Sequence, residues 1–464
     1  MVESAPRASA PASTGTGFDV VFRAPRLIGP NGEVSGSVGV RDGRIVAIET
    51  LDAALDAARE VELGDDEVLL PGMVDTHVHV NDPGRAEWEG FPTATRAAAE
   101  GGITTIVDMP LNCLPPTIDS GALQVKRKAA QDRVHVDVGF WGGAVHGNLA
   151  ELRGLHEDGV FGFKCFLLHS GVDEFPPLNV TEMEEALRTV AALDAMMIVH
   201  AEDSDAIEHA PTAHGEDYDD FLSSRPRGAE NIAIAQVIEA ARRTGARVHI
   251  LHLSSSDALA MIASARADGV RVTVETCPHY LSFTSEEIPD GGTQFKCCPP
   301  IREAANRELL WRGLADGTID CIVSDHSPCT PDLKHFDIGD FGVAWGGVSS
   351  LQLGLSAIWT QARVRGHDLA DVVRWMSSRP AELAGLQRKG AIAVGNDADL
   401  CVFAPDDAYV VDVGKLNHRN PVSAYHGRAL AGVVRNTWLR GHHIAGPDAD
   451  SSTPRGEFLN RGEV

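Results

Sequence analysis

Val68-Leu69-Leu70-Pro71-Gly72-Met73-Val74-Asp75-Thr76-His77-Val78-His79-Val80 is the stretch on which the reading of this chain turns. It is apolar for most of its length, and its polar side chains gather near its end. A run of this kind suits a strand buried on both faces of a parallel sheet. Side chains alternate along a strand, so His77 and His79 fall on one face, where two imidazoles can share a metal ion.

Seven more short apolar runs follow, at 102–109, 135–142, 161–168, 196–201, 247–253, 271–276 and 319–324. Segments with apolar residues at three- to four-residue spacing lie between them, among them 182–193, 232–243, 257–267 and 302–315. Eight strand–helix units predict an α/β fold, a (β/α)8 TIM-type barrel over 68–384. An open doubly wound sheet usually carries a glycine-rich phosphate turn after its first strand; here that strand ends in histidines. The ends of the chain alternate apolar and polar residues around turn signals such as Gly29-Pro30-Asn31-Gly32. They predict one small β-sandwich-like domain built from 18–67 plus 385–445. The Ala/Ser/Pro/Thr-rich residues 1–17 read as a disordered leader, and 446–464 as a polar C-terminal tail.

Of 464 residues, 66 are acidic and 40 basic, a formal net charge of −26. That balance argues against nucleic acid and against an anionic membrane surface as partners. There is no apolar run long enough for a membrane helix. The eight cysteines form no CxxC pair, which suggests reduced, mostly buried thiols in a cytoplasmic protein.

In a barrel of this type the working residues stand at the C-terminal ends of the strands. His77, His79, Lys164, His200, His252 and Asp325 all fall there. Singly, each has an ordinary explanation: a satisfied core histidine, a capping aspartate, a snorkelling lysine. As a set, four histidines and an aspartate suit divalent metal, most simply two zinc-like ions, with cobalt or manganese also compatible. Two close ions acidify a shared water and polarise a carbonyl. Asp325 would then serve as ligand and as catalytic proton shuttle, in hydrolysis of an amide-like bond. An ammonium at Lys164 would be disfavoured beside such ions, whereas an amine that has added carbon dioxide would be an anionic ligand.

This pattern resembles the cyclic amidohydrolases of the amidohydrolase superfamily, over about residues 20–441. The resemblance implies one ion on His77, His79 and Asp325, a second on His200 and His252, and an N6-carboxylated Lys164 bridging them. The strings at 75–85, 87–91, 108–112, 163–172 and 324–329 are similar to those of the allantoinase branch. Dihydroorotases usually place an arginine where this chain has Asn81, and hydantoinases a tyrosine within the stretch matching 165–170, which has none. The implied activity is hydrolysis of the hydantoin-ring amide of allantoin, a small neutral substrate, to allantoate in purine degradation. A homotetramer is also implied. A hydantoinase or dihydropyrimidinase is the alternative; a non-catalytic scaffold fits less well, because every ligand position is filled. The resemblance further implies substrate contacts at Asn112 and Cys298. His169, His279 and His326, also near strand ends, read as loop residues or supports for ligand imidazoles.

Overall fold

The computed structural model describes residues 17–462, so the expected leader, apart from Gly17, lies outside the described residues. The chain opens with β1 (Phe18–Gly29), β2 (Gly32–Arg41), β3 (Arg44–Glu49), β4 (Ala57–Glu62) and β5 (Val68–Pro71). The first turn reverses β1 into an antiparallel β2, and Gly32 supplies the φ of 111° that the tight reversal needs.

A parallel system follows: β6 (Met73–Val78), β7 (Ile103–Asp108), β8 (Asp137–Phe140), β9 (Gly142–Gly143), β10 (Phe163–Phe166), β11 (Met196–His200), β12 (Arg247–Ile250), β13 (Val272–Thr276) and β14 (Cys321–Ile322). β6, β7 and β8 make one sheet, and β9 through β14 a second, each in chain order. The expected run at 135–142 is thus two strands, parted at Trp141, whose N–H donates to Asp108. A parallel bridge between Val78 and His326 links the end of β6 to the residues beyond β14. Every residue of β6, β7, β10 and β11 is buried, the reason these runs lack polar alternation. Helices cover the strands by their apolar stripes. Val180–Ala192 starts on a capping box of Asn179 and Glu182 and buries Met183, Ala186, Leu187 and Val190. Arg227–Thr244 ends on Gly245, whose φ of 72° closes the helix.

The opening run, 68–80, serves two layers. Its first four residues, β5, pair with β1 and with β15 (Leu400–Val410), whereas β6 pairs with β7. Pro71 lacks the N–H to continue a ladder, and a Cβ on Gly72 would stand 2.2 Å from Thr104 Oγ1. By these pairings residues 68–71 lie with the terminal strands. β16 (Ala429–Leu439) and β17 (His442–Ala445) complete a sheet of order β17-β16-β15-β5-β1-β2-β3, with β4 against β1. The two ends of the chain meet in this single eight-stranded sheet.

The polar tail is docked as far as it is described. Val138 N–H donates to Glu457, Leu459 N–H donates to Val138, and Phe458 meets the Phe140 ring edge-on at 5.6 Å. Its composition hides this, because only Phe458 and Leu459 carry the apolar contact. All eight cysteines are free, and all but the half-buried Cys298 are buried. Among the described residues, no helix is long and apolar enough to cross a membrane.

Candidate metal centre and substrate cavity

The ends of the parallel strands converge on one cluster. His77 and His79 come from the end of β6, Lys164 from β10 and His200 from β11; His252 and Asp325 follow β12 and β14. His77 Nε2 lies 3.1 Å from Asp325 Oδ1, and His79 Nε2 lies 3.6 Å from the same oxygen. Lys164 Nζ is 3.5 Å from His77 Nε2. The His252 ring stands 5.4 Å from His77 and 4.6 Å from His200. All six residues are buried. Three residues at this end of the molecule, Asn112 (φ 64°), His252 (φ 36°) and Asp325 (φ 43°), adopt left-handed backbone that costs of order 1–3 kcal/mol each. The surrounding fold holds them there, turning the chain sharply where each side chain must face the cluster.

Burial lowers the pKa of His79, His200 and His252, keeping these imidazoles neutral, the form that binds metal. Burial also opposes charge on His77, but Asp325 and Glu275 outweigh it and raise its pKa. Asp325 is held well below the usual carboxylate range, His77 overcoming its burial. Burial brings the Lys164 amine down to about 8, against the pull of Asp325 and Glu275. The donor atoms of His77, His79 and Asp325 all lie within 4.8 Å of one another, and the buried Nδ1 of His252 has no hydrogen-bond partner among the described residues. Neutral imidazoles, an ionised carboxylate and an unpartnered buried nitrogen fit a metal centre.

Sequence reasoning missed the residues that aim these candidate ligands. Glu275 Oε1 meets His77 Nδ1 at 2.5 Å, and its other oxygen meets His249 Nε2 at 3.0 Å. Glu202 Oε2 takes His200 Nε2 at 2.7 Å and Arg225 Nη1 at 2.6 Å. Asp75 accepts the backbone N–H groups of His77 and Ser324, tying β6 to the segment that carries Asp325. Such partners fix ring orientation and tautomer. Their signal was a carboxylate inside or directly beside an apolar strand: Glu275 in 271–276, Asp75 in 68–80, Glu202 two residues after His200.

A cavity of about 640 Å³ opens onto the cluster. Asn112 and Cys298 both line it. Asn112 also approaches His79, its side-chain amide 3.4 Å from Nδ1. Among the described residues, neither the N–H nor the carbonyl of Cys298 has a backbone partner. Arg85, which could have replaced an arginine missing at Asn81, is engaged elsewhere, with Glu174 Oε1 at 2.5 Å and the Asn112 carbonyl at 2.9 Å. His169 lines the cavity, His326 is held by Glu89 at 3.1 Å, and buried His279 has no hydrogen-bond partner on either nitrogen among the described residues.

The chain belongs to the amidohydrolase family, whose model matches residues 68–444. An allantoinase of Streptomyces avermitilis is 59% identical to it over 444 residues, covering 96% of this chain and 99% of its own. The allantoinase of Arabidopsis thaliana is 45% identical, covering 93% and 89%. Among solved structures, the L-hydantoinase (dihydropyrimidinase) from Arthrobacter aurescens superimposes with a TM-score of 0.91 at 31% identity, covering 96% of this chain and all of that one. The α/β fold matches these structures.

Proposed function

We propose that this chain is an allantoinase, opening the hydantoin ring of allantoin by hydrolysis of its amide to give allantoate, a step of purine degradation. One observation carries the reading: six metal-suited side chains, distant in sequence, form one buried group at the end of a cavity. The similarity to allantoinases across nearly the whole chain supports the choice of substrate.

His77, His79 and Asp325 would hold one divalent ion, His200 and His252 a second, and carboxylated Lys164 would join them. Zinc suits this donor set, with cobalt or manganese compatible. When bound, the metals supply Lewis-acid polarisation and acidify water. Asp325 takes the proton from the water that attacks the ring carbonyl and delivers it to the ring nitrogen as the amide bond breaks. Asn112 and the backbone of Cys298 pair with the polar edge of the ring. A neutral Lys164 amine, accessible because burial lowers its pKa, can add carbon dioxide.

The finer architecture belongs to the same reading. The parallel strands form a closed (β/α)8 barrel over most of 68–384, supported by the Val78–His326 bridge, and the terminal sheet is its small companion domain. A cytoplasmic homotetramer is read with it, and light scattering tests that assembly.

The test is a substrate panel of allantoin, hydantoin, dihydrouracil and dihydroorotate, with metal content measured on the same sample. Allantoin should give the highest kcat/KM, with about two metal ions per chain. Preference for hydantoin or dihydrouracil would move the assignment to the hydantoinase branch, and full activity in metal-free protein would sink it.

A further inference from the structure

Beyond the metal end, the cavity wall is cationic. Besides Lys164, its lining carries two positive side chains among the described residues, Arg225 and Lys296. Arg225 already pairs with Glu202 at 2.6 Å. Lys296 is 9% exposed and makes no ion pair among the described residues. Its ammonium donates to the carbonyls of Ala344 at 2.6 Å and Gly342 at 3.4 Å, and lies 5.3 Å from the centre of the Phe221 ring. Asp340, whose carboxylate accepts the Gly342 N–H, acts on this charge only through space, and two carbonyl acceptors leave one of the three ammonium donors unspent.

Bracing the loop does not account for this lysine. Lys334 already straps the same segment, through the carbonyls of Trp345 at 2.8 Å and Gly347 at 2.7 Å. The Gly347 N–H also donates to the Lys296 backbone carbonyl, a bond that a side-chain change leaves in place. Among the described residues the lining holds one carboxylate outside the metal cluster, Glu208, and it is exposed. A buried ammonium at the cavity wall with no direct ion pair among the described residues and a donor to spare suits a ligand group that brings acceptors.

We propose that Lys296 is a specificity-determining residue, whose ammonium receives a carbonyl oxygen on the ring substituent of the substrate, so that the cavity selects hydantoins bearing a ureido or similar carbonyl-containing arm. This rests on the allantoinase reading and extends it to the exocyclic part of the substrate. A charge-assisted hydrogen bond of this kind discriminates strongly, because a substituent without an acceptor leaves the buried ammonium unmatched.

The experiment uses the metal-loaded full chain and compares KM for allantoin with the inhibition constant of unsubstituted hydantoin. In Lys296→Met the preference for allantoin over hydantoin should shrink roughly 10- to 100-fold, and Lys296→Arg should retain most of it. An unchanged ratio in Lys296→Met overturns the proposal, whether or not overall activity drops. The unmodified enzyme provides a second measurement should the variant fail to fold. Hydantoin-5-acetate should compete at least about tenfold better than 5-(2-aminoethyl)hydantoin, which carries a cation instead of an acceptor. Equal inhibition, or the reverse order, overturns the proposal as well. Failure of the unmodified, metal-loaded enzyme to hydrolyse allantoin would instead sink the functional reading on which it rests.

Discussion

Lys164 occupies a position where an ammonium is costly: buried, 3.5 Å from one imidazole, with no ion pair among the described residues. On the proposed bridging role, removing its side chain removes a ligand. Lys164→Ala is expected to lose bound metal and turnover together, metal analysis and kcat measured on one preparation; retention of both ions with full activity would exclude the bridging role. Glu275 acts one bond further out. Its carboxylate holds the His77 ring by Nδ1 and leaves Nε2 facing Asp325. Glu275→Gln keeps the shape but removes the charge, and should weaken metal affinity or activity by about 10- to 100-fold, read by competition with a chelator.

At the scale of elements, the strands carry their own sensitivities. His135, just before β8, is buried, and burial with help from Arg96 lowers its pKa from 6.5 to about 4. The unfolded chain therefore binds the proton more readily than the folded one between those values. Stability from this residue is complete above about pH 6.5 and is lost as pH falls towards 4, up to about 3 kcal/mol. Urea midpoints followed across that range should fall less steeply in His135→Gln than in the unmodified protein. The docked tail makes a second prediction. Deleting residues 455–464 would uncover Phe140 and strip hydrogen bonds from Val138, and should cost about 2–4 kcal/mol in urea unfolding. An unchanged midpoint would mean that the docking adds nothing to stability.

Across the whole molecule, one buried cation ties the layers together. Lys389 Nζ reaches Asp137 on β8 at 2.7 Å, Asp399 at 2.7 Å and Asp397 at 3.0 Å, while Arg440 at the end of β16 pairs with Asp137 at 2.5 Å. The tail joins the same group, the Glu457 N–H donating to Asp137 at 2.9 Å. Lys389→Met would take one shared cation from three buried carboxylates and should destabilise by about 3–5 kcal/mol. Thermal unfolding should move markedly while metal content in the surviving folded protein stays the same.

What could be read from the residues alone was local in origin. Doubly buried strands show as continuous apolar runs, and imidazole and carboxylate groups show at their ends, so the α/β pattern and the six candidate residues that the fold gathers were legible before any contact was known. The division of 68–80 at Pro71-Gly72 was not, because it depends on what each half pairs with: β1 and β15 for one, β7 for the other. Nor were the orienting carboxylates, the docking of Phe458 or the cationic cavity wall. His77 and Glu275 are 198 residues apart, and Lys389 and Asp137 are 252 apart. A side chain's type is written in the chain, but the partner that sets its charge and direction is chosen only when distant strands are packed side by side.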